Sequence, residues 1–406
     1  MKMISKINKN LWRGSFLLIA AFGLFSFLHF LFQLFMARYL TIAEYGVLSA
    51  LFAIIYITLI FTESIQTIIT RYAANEESDG KLKNIFIKFI KKCSKISFLV
   101  FIFYLIASIP LSYVLKIDYL LLAFVGLVIF NSTFVPISRG IMQGKKRFKA
   151  LALNLVTEAS FKLVLGVLFV FIGWKVYGAI LGVILGGIIA FLFSFIQLNK
   201  IIKSNNIESK FHGIHDYARP AFIIIFVVII FYSIDVILAK IFFSPDEAGF
   251  YALASILGKI IFWGTLPISK AMFPESASKN KSEAELKNIF NNALFILAFG
   301  IISALLIFYF FPNFVIKIFS GKIVPETSKI LFIVGIAFSF ISLANLFLLY
   351  KLSINKIKNY NWLFIFIVVE IVIFSLFSKN LMQFSVAFVA ASAAFLWGTI
   401  KIVGRD

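Results

Sequence analysis

The apolar residues of this chain fall into blocks of about twenty, separated by short polar stretches, and they do not alternate one by one. Twenty residues rising 1.5 Å each cover ~30 Å, the thickness of a bilayer's hydrocarbon core. Backbone N–H and C=O groups find no water inside lipid, and a helix satisfies them within itself. Each block therefore predicts a transmembrane α-helix. Twelve are read: 14–36, 45–70, 96–115, 119–138, 150–173, 176–199, 220–239, 248–269, 289–312, 328–350, 360–378 and 381–400. The lack of a two-residue period excludes an outer-membrane barrel. Lys2, Lys6, Lys9 and Arg13 before the first block resemble the start of a secretory signal. The apolar run is too long for one, and Arg38–Glu44 leads straight into a second block, so a retained helix is expected.

Composition agrees. The chain is 61% hydrophobic and only 14% charged, against roughly 25% charged in soluble proteins, and its mean hydropathy is +1.00. No soluble domain is expected. The largest outer loop, about 313–327, is too short for a catalytic domain. The net charge of +21 suggests nucleic acid until the positions are considered. With the N-terminus placed inside, the inner segments carry 29 of the 39 Lys and Arg, the outer ones eight, and Lys162 and Lys259 lie within spans. This is the positive-inside rule. It predicts cytoplasmic termini and attraction to anionic lipid, not a nucleic-acid partner.

The chain repeats itself at an offset of about 203 residues. Ala37-Arg38-Tyr39-Leu40-Thr41-Ile42-Ala43-Glu44-Tyr45-Gly46 is echoed by Ala239-Lys240 and then Ser244-Pro245-Asp246-Glu247-Ala248-Gly249. Leu82-Lys83-Asn84-Ile85-Phe86 returns as Leu286-Lys287-Asn288-Ile289-Phe290. Six spans per half return the chain to the same side, so the halves form parallel repeats. The expected division is 1–202 and 220–406, joined by a cytoplasmic linker 203–219. In 81–95, Leu82, Ile85, Phe86, Phe89 and Ile90 keep helical spacing, and Lys81, Lys83, Lys88, Lys91, Lys92 and Lys95 fill much of the rest. That pattern suits a helix lying in the headgroup layer, or a basic extension of the third span.

A charge at the bilayer centre costs ~2.5–3.5 kcal/mol on insertion scales, so intramembrane charges should face a cavity or a partner. Ser26, His29 and Gln33 share a side of the first span; Glu63, Gln66, Thr67 and Thr70 form a stripe on the second, ended by Arg71. Asn154, Glu158 and Lys162 recur every four residues on the fifth span, while Asp235, Lys259 and Glu370 lie on the seventh, eighth and eleventh. A hydrated cavity whose cations hold an anionic group accounts for them. Plainer roles compete: Glu158 and Lys162 are spaced to pair, Asp235 and Lys259 to neutralise each other across helices, Arg71 to anchor a helix end, and His29 to bond between helices. Glu63 has no basic residue at i±3 or i±4. There is no phosphate loop, HExxH, GxSxG or CxxC, and Cys93 is the lone cysteine. No catalytic residue or metal site is expected, and His212 and His215 lack ligating neighbours.

Ala37-Arg38-Tyr39-Leu40, Glu44-Tyr45-Gly46, Arg139-Gly140-Ile141-Met142-Gln143-Gly144 with Arg147-Phe148, Glu158 with Lys162, Gly173-Trp174-Lys175-Val176-Tyr177-Gly178-Ala179 and Glu247-Ala248-Gly249-Phe250-Tyr251 follow one another in order. Together they resemble the oligosaccharide flippases of polysaccharide biosynthesis, in the multidrug/oligosaccharidyl-lipid/polysaccharide (MOP) superfamily, most strongly over 11–280. The resemblance implies an all-α integral membrane protein of about twelve transmembrane helices in two parallel six-helix repeats, a V-shaped two-lobe transporter. It implies alternating access that carries a polyprenyl-(pyro)phosphate-linked oligosaccharide from the inner to the outer leaflet of the cell membrane. Its partners would be the bilayer, that lipid-linked glycan and enzymes of glycan assembly; a monomer is expected. Glu63, Gln66, Arg71, Glu158, Lys162, Lys259 and His29 are the substrate-cavity candidates. In relatives that flip the peptidoglycan precursor, an acid on the seventh helix and polar groups on the eleventh and twelfth can bind sodium. Asp235 and Glu370 would take the first two roles, and Ser385, Ser392 and Thr399 are the twelfth span's hydroxyls. Proton or sodium coupling, with no other cofactor, is the expectation.

The chief alternative is a cation-coupled multidrug or organic-cation exporter of the same superfamily, whose cavity should be acidic. A polymerase should carry a large outer loop, and a glycosyltransferase an Asp-x-Asp motif; neither is present. A non-transporting scaffold would leave every buried charge structurally paired. The topology is checked by single-cysteine labelling in a Cys93→Ser background. Lys146→Cys should react only from the inside with an impermeant maleimide, and Lys379→Cys only from the outside.

Overall fold

The computed structural model describes residues 2–209, 215–276, 282–354, 356 and 358–403; His212 and the middle of the linker lie outside them. Among the described residues every regular element is helical. In chain order they are α1 (Lys2–Tyr39), α2 (Ile42–Asn75), α3 (Asp79–Leu115), α4 (Tyr119–Val125), α5 (Val128–Gly144), α6 (Phe148–Phe169), α7 (Lys175–Gln197) and α8 (Asn199–Lys203). Then follow α9 (His215–Phe242), α10 (Pro245–Ser276), α11 (Glu283–Phe310), α12 (Pro312–Ser320), α13 (Pro325–Ser353), α14 (Leu363–Leu376) and α15 (Leu381–Gly398).

Among the described residues, ten stretches are long and apolar enough to cross a membrane; one of them, 50 residues long, holds both α6 and α7. Counting those two separately and adding the shorter apolar helix Tyr360–Leu376 returns the twelve blocks of the sequence. The division between α6 and α7 is a single turn: Val170–Trp174 winds as a π-helix and Gly173 takes φ 96°, a conformation that favours glycine. The apolar surface points outward, as it must in lipid. On α3, Phe103 is 72% and Leu99 67% exposed, while Ser97 and Ser108 are buried.

Two compact units emerge. One comprises Met1–Leu40 and Thr58–Ile214, the other Thr41–Ile57 and His215–Asp406. The later boundary falls between α8 and α9. The first stretch of α2 departs from the expected 1–202 block, and the repeated motif explains why it groups with the second unit. At the start of α2, Thr41 and Glu44 exchange backbone-to-side-chain hydrogen bonds of 2.9 and 3.2 Å. At the start of α10, Ser244 and Glu247 do the same at 3.1 and 3.4 Å. Both are capping boxes, which satisfy helix-start donors reciprocally. The glycine two residues on then lets the two helices touch: a Cβ on Gly46 would lie 2.9 Å from the Gly249 nitrogen, and one on Gly249 only 2.2 Å from the Ile42 carbonyl oxygen. The second repeated string follows another shared start signal. Ser78 caps α3 by accepting from Lys81, and Ser282 caps α11 in a full capping box with Glu285.

Two expectations are corrected. The basic stretch 81–95 is not a separate interfacial helix: it is the beginning of the continuous 37-residue α3. Its apolar residues Leu82, Ile85 and Phe86 are buried against Ile137, Ile141, Leu198 and Ile201, so protein rather than lipid takes that stripe. The supposed loop 313–327 contains α12, started by Pro312 and ended by Gly321 in the left-handed region.

The Gly249 contact leaves no room for a side chain. Gly249→Val should cost about 1–3 kcal/mol through overpacking and lower the melting midpoint in detergent. Gly300→Ala, with nothing within 4 Å of its Cβ position, should not.

Candidate functional site

In the first unit the buried polar groups converge on α6. Its neighbour α7 carries Gly178, Gly182 and Gly186 at four-residue spacing. A Cβ on Gly182 would sit 2.5 Å from the Gly166 Cα, and one on Gly186 2.9 Å from the Glu158 carbonyl oxygen and the Lys162 nitrogen. Small residues at this spacing allow close backbone approach between membrane helices. The contact presses α7 against the back of α6 at the level of its charges.

Arg139 of α5 donates from Nε to Asn154 Oδ1 at 2.8 Å and from Nη2 to Glu158 Oε2 at 2.5 Å. Asn154 is itself held, donating to the Ala190 carbonyl at 2.8 Å and to Gln197 Oε1 at 3.1 Å. One turn along, Lys162 Nζ lies 3.1 Å from His29 Nδ1 of α1 and 4.6 Å from the centre of the Phe32 ring. The other ring nitrogen of His29 is buried with no hydrogen-bond partner. Among the described residues, two cations, Arg139 and Lys162, thus stand with one carboxylate, Glu158, in this network. A buried network with surplus positive charge and an unused imidazole nitrogen is suited to hold an anion.

In the second unit Asp235 of α9 is fully buried. It forms an ion pair with Lys259 of α10 at 3.3 Å and accepts from Ser255 at 2.5 Å and Tyr251 at 3.4 Å. Glu370 of α14 is also fully buried. It lies close enough to Asp235, Lys259 and Tyr251 to act on their charges, yet neither of its oxygens has a hydrogen-bond partner.

The structure therefore brings His29, Glu158 and Lys162 into one cluster, and Asp235, Lys259 and Glu370 into another. It does not bring Glu63 or Arg71 into either; both are exposed on α2. Gln66 and Thr70 of the same stripe bond to Gln143 of α5, at 2.8 and 3.3 Å. Arg139 is the residue that sequence reasoning misplaced. Counted there as a loop cation, it is 6% exposed inside α5. The available signal was its span's continuation to Gly144 together with the acid and amide spaced on the next helix. Of the three hydroxyls named on the twelfth span, Ser385 and Thr399 bond to carbonyls of their own helix, whereas Ser392 Oγ is buried and unpartnered.

The sequence profile described as polysaccharide biosynthesis protein matches residues 35–329. The chain belongs to this family. The matched region includes Arg139, Asn154, Glu158, Lys162, Asp235 and Lys259 and leaves out His29 and Glu370. An uncharacterized membrane protein of Methanocaldococcus jannaschii is 26% identical over 334 residues, 77% of this chain and 78% of its own. Among solved structures, the inward closed conformation of the lipid II flippase MurJ superposes with a TM-score of 0.70 at 15% identity, over 96% of this chain and 88% of its own. An inward-facing multidrug resistance MATE transporter of the MOP superfamily superposes at 0.67 with 13% identity, over 93% and 94%. A MOP-superfamily transporter from Pyrococcus furiosus, with a binding pocket described as reversed in polarity, does so at 0.60 with 14% identity, over 97% and 95%. This member of the polysaccharide biosynthesis family thus has the fold of the MOP-superfamily transporters.

Removing Arg139 leaves the Glu158 carboxylate without its cation. Arg139→Met should destabilise by about 2–3 kcal/mol, read as loss of the monodisperse peak on heating. The double variant Arg139→Met/Glu158→Gln should recover much of that loss.

Proposed function

We propose that this protein is a flippase that moves a polyprenyl-(pyro)phosphate-linked oligosaccharide from the cytoplasmic to the outer leaflet of the cell membrane by alternating access, for assembly of surface polysaccharide. Both termini lie on the cytoplasmic side in this reading. It is supported above all by the surplus of buried positive charge around Lys162, next to an imidazole nitrogen that no protein group uses. An anionic, heavily hydrated headgroup cannot cross hydrocarbon unaided, and a fixed ammonium replaces part of its water at the membrane's depth. Lys162 acts as the point charge for phosphate, with His29 beside it. Arg139, bound by Asn154 and Glu158, supports the position of α6 and adds to the local field. The family's description and the likeness to the lipid II flippase fold point the same way.

The second reading, an exporter of organic cations, draws on the other unit, where Asp235 and Glu370 set two carboxyl groups against Lys259. One preparation separates the two. Purified protein in vesicles containing a fluorescent polyprenyl-phosphate-linked glycan should raise the rate at which the label becomes accessible to an impermeant quencher, and should not accumulate a cationic dye. Dye accumulation without glycan movement would establish the exporter and overturn the flippase.

Loss of a charge-assisted hydrogen bond is worth ~1.5–3 kcal/mol, so Lys162→Ala should slow glycan movement about ten- to a hundred-fold at unchanged protein yield. Lys162→Arg should retain part of the activity, since it keeps the charge but not its compact geometry.

A further inference from the structure

Some of the oxygen-bearing side chains buried in the second unit share one level. Phe231 stacks on Phe395 with ring centres 4.5 Å apart, and Phe243 meets Phe384 at 5.2 Å. These contacts set α9 and α15 antiparallel in a register that places Asp235 level with Ala391 and Ser392. Phe374 against Phe388 at 5.5 Å, and Phe366 against Phe395 at 6.0 Å, place Glu370 of α14 at that same level. Five oxygen-bearing side chains therefore approach one depth from four helices: Asp235, Tyr251, Ser255, Glu370 and Ser392. Three of their oxygens, both of Glu370 and the hydroxyl of Ser392, are buried without any hydrogen-bond partner.

Hard oxygen donors with unused lone pairs are what a small alkali cation requires, and the resemblance to sodium-binding relatives raises that expectation for Asp235 and Glu370. The residues present do not fit it. The ammonium of Lys259 lies 3.3 Å from Asp235 Oδ1, is 3% exposed, and rests 5.6 Å from the Phe338 ring centre. A sodium ion bound to that carboxylate would sit beside a fixed positive charge with little water to screen it. The other Asp235 oxygen already takes the hydroxyls of Ser255 and Tyr251.

We propose that the Lys259 ammonium is a tethered counter-ion standing in a monovalent-cation site built from Asp235, Glu370 and Ser392, so that sodium has no place there unless Lys259 is removed. The helices around Glu370 contribute Asp235, Tyr251 and Lys259 as their charged or titratable groups facing it. With the ammonium withdrawn, the Asp235 carboxylate would lose the cation it pairs with, at the level where Glu370 and Ser392 carry unpartnered oxygens. The significance for transport rests on the flippase reading, but the site itself is tested by binding alone.

The test uses the full chain in detergent, melted in sodium, potassium or choline chloride at equal ionic strength. The wild-type midpoint should be the same in all three. Lys259→Met should gain a sodium-dependent rise on the order of 2–4 °C, absent in choline and abolished by adding Asp235→Asn. Lys259→Ala should be stabilised by methylammonium, which restores the missing group, and wild type should not. A sodium-dependent rise in wild type that Asp235→Asn removes would overturn the proposal. So would a Lys259→Met protein that folds and responds to no cation. If Lys259→Met does not accumulate, a Lys259→Ala protein indifferent to methylammonium overturns it. Failure of glycan movement in vesicles with these melting results intact would defeat the flippase reading and leave this one standing.

Discussion

Everything in this molecule depends on the cost of placing charge where there is no water. A chain sheathed in lipid must satisfy each buried polar group from within the protein. The two clusters show how this is done. Arg139 is held by Asn154 and Glu158, and Asn154 is braced in turn by Ala190 and Gln197. Asp235 is met by an ammonium and two hydroxyls. Where the accounting does not close, at His29 Nε2, at Glu370 and at Ser392, the molecule carries an unmet demand that structure alone does not explain. Such atoms are expensive to keep; the hydroxyls of Ser233, Ser269 and Ser276 share that condition, while His29 Nε2 and the Glu370 oxygens belong to residues beside intramembrane charges.

Close helix approach is the second half of the same problem. Lipid gives helices no hydrophobic reason to associate, so packing and internal hydrogen bonds must hold them. Gly46 with Gly249, and Gly166 with Gly182, bring backbones into direct contact. The first pair joins the starts of α2 and α10, each opened by its own capping box. The repeated string Thr/Ser-x-x-Glu-x-Gly is therefore a local folding unit used twice: a helix start, and two residues later a surface flat enough to receive its counterpart. The second pair sets the depth at which Glu158 and Lys162 are presented.

The two clusters differ in sign. One holds two cations against one carboxylate, the other two carboxyl groups against one ammonium. A transporter for an anionic headgroup would use the first directly. In the second, Lys259 brings its own positive charge to the acids, which gives this member of the family a different electrostatic centre from one that leaves its acids open to a free ion.

The twelve apolar blocks, the all-helical fold and the family motifs were legible in the chain, because span length and positive charge are set locally by lipid and do not depend on partners. The capping boxes and the GxxxG-like spacing of Gly178, Gly182 and Gly186 were also there to be read. Partnership was not. Glu158, spaced to pair with Lys162 on its own helix, acts on that ammonium and also receives Arg139 from α5. Glu63, without a local cation, remains outside both networks, and the stripe at 81–95 faces protein rather than headgroups. Each of these depends on which helix lies opposite and at what height, a relation between residues tens of positions apart that periodicity along one helix does not encode. Sequence alone placed Glu63, Glu158, Lys162, Asp235, Lys259 and Glu370 within spans; only the tertiary structure decided which of them meet, and that Arg139 joins them, because a side chain's partner is fixed by the register between helices.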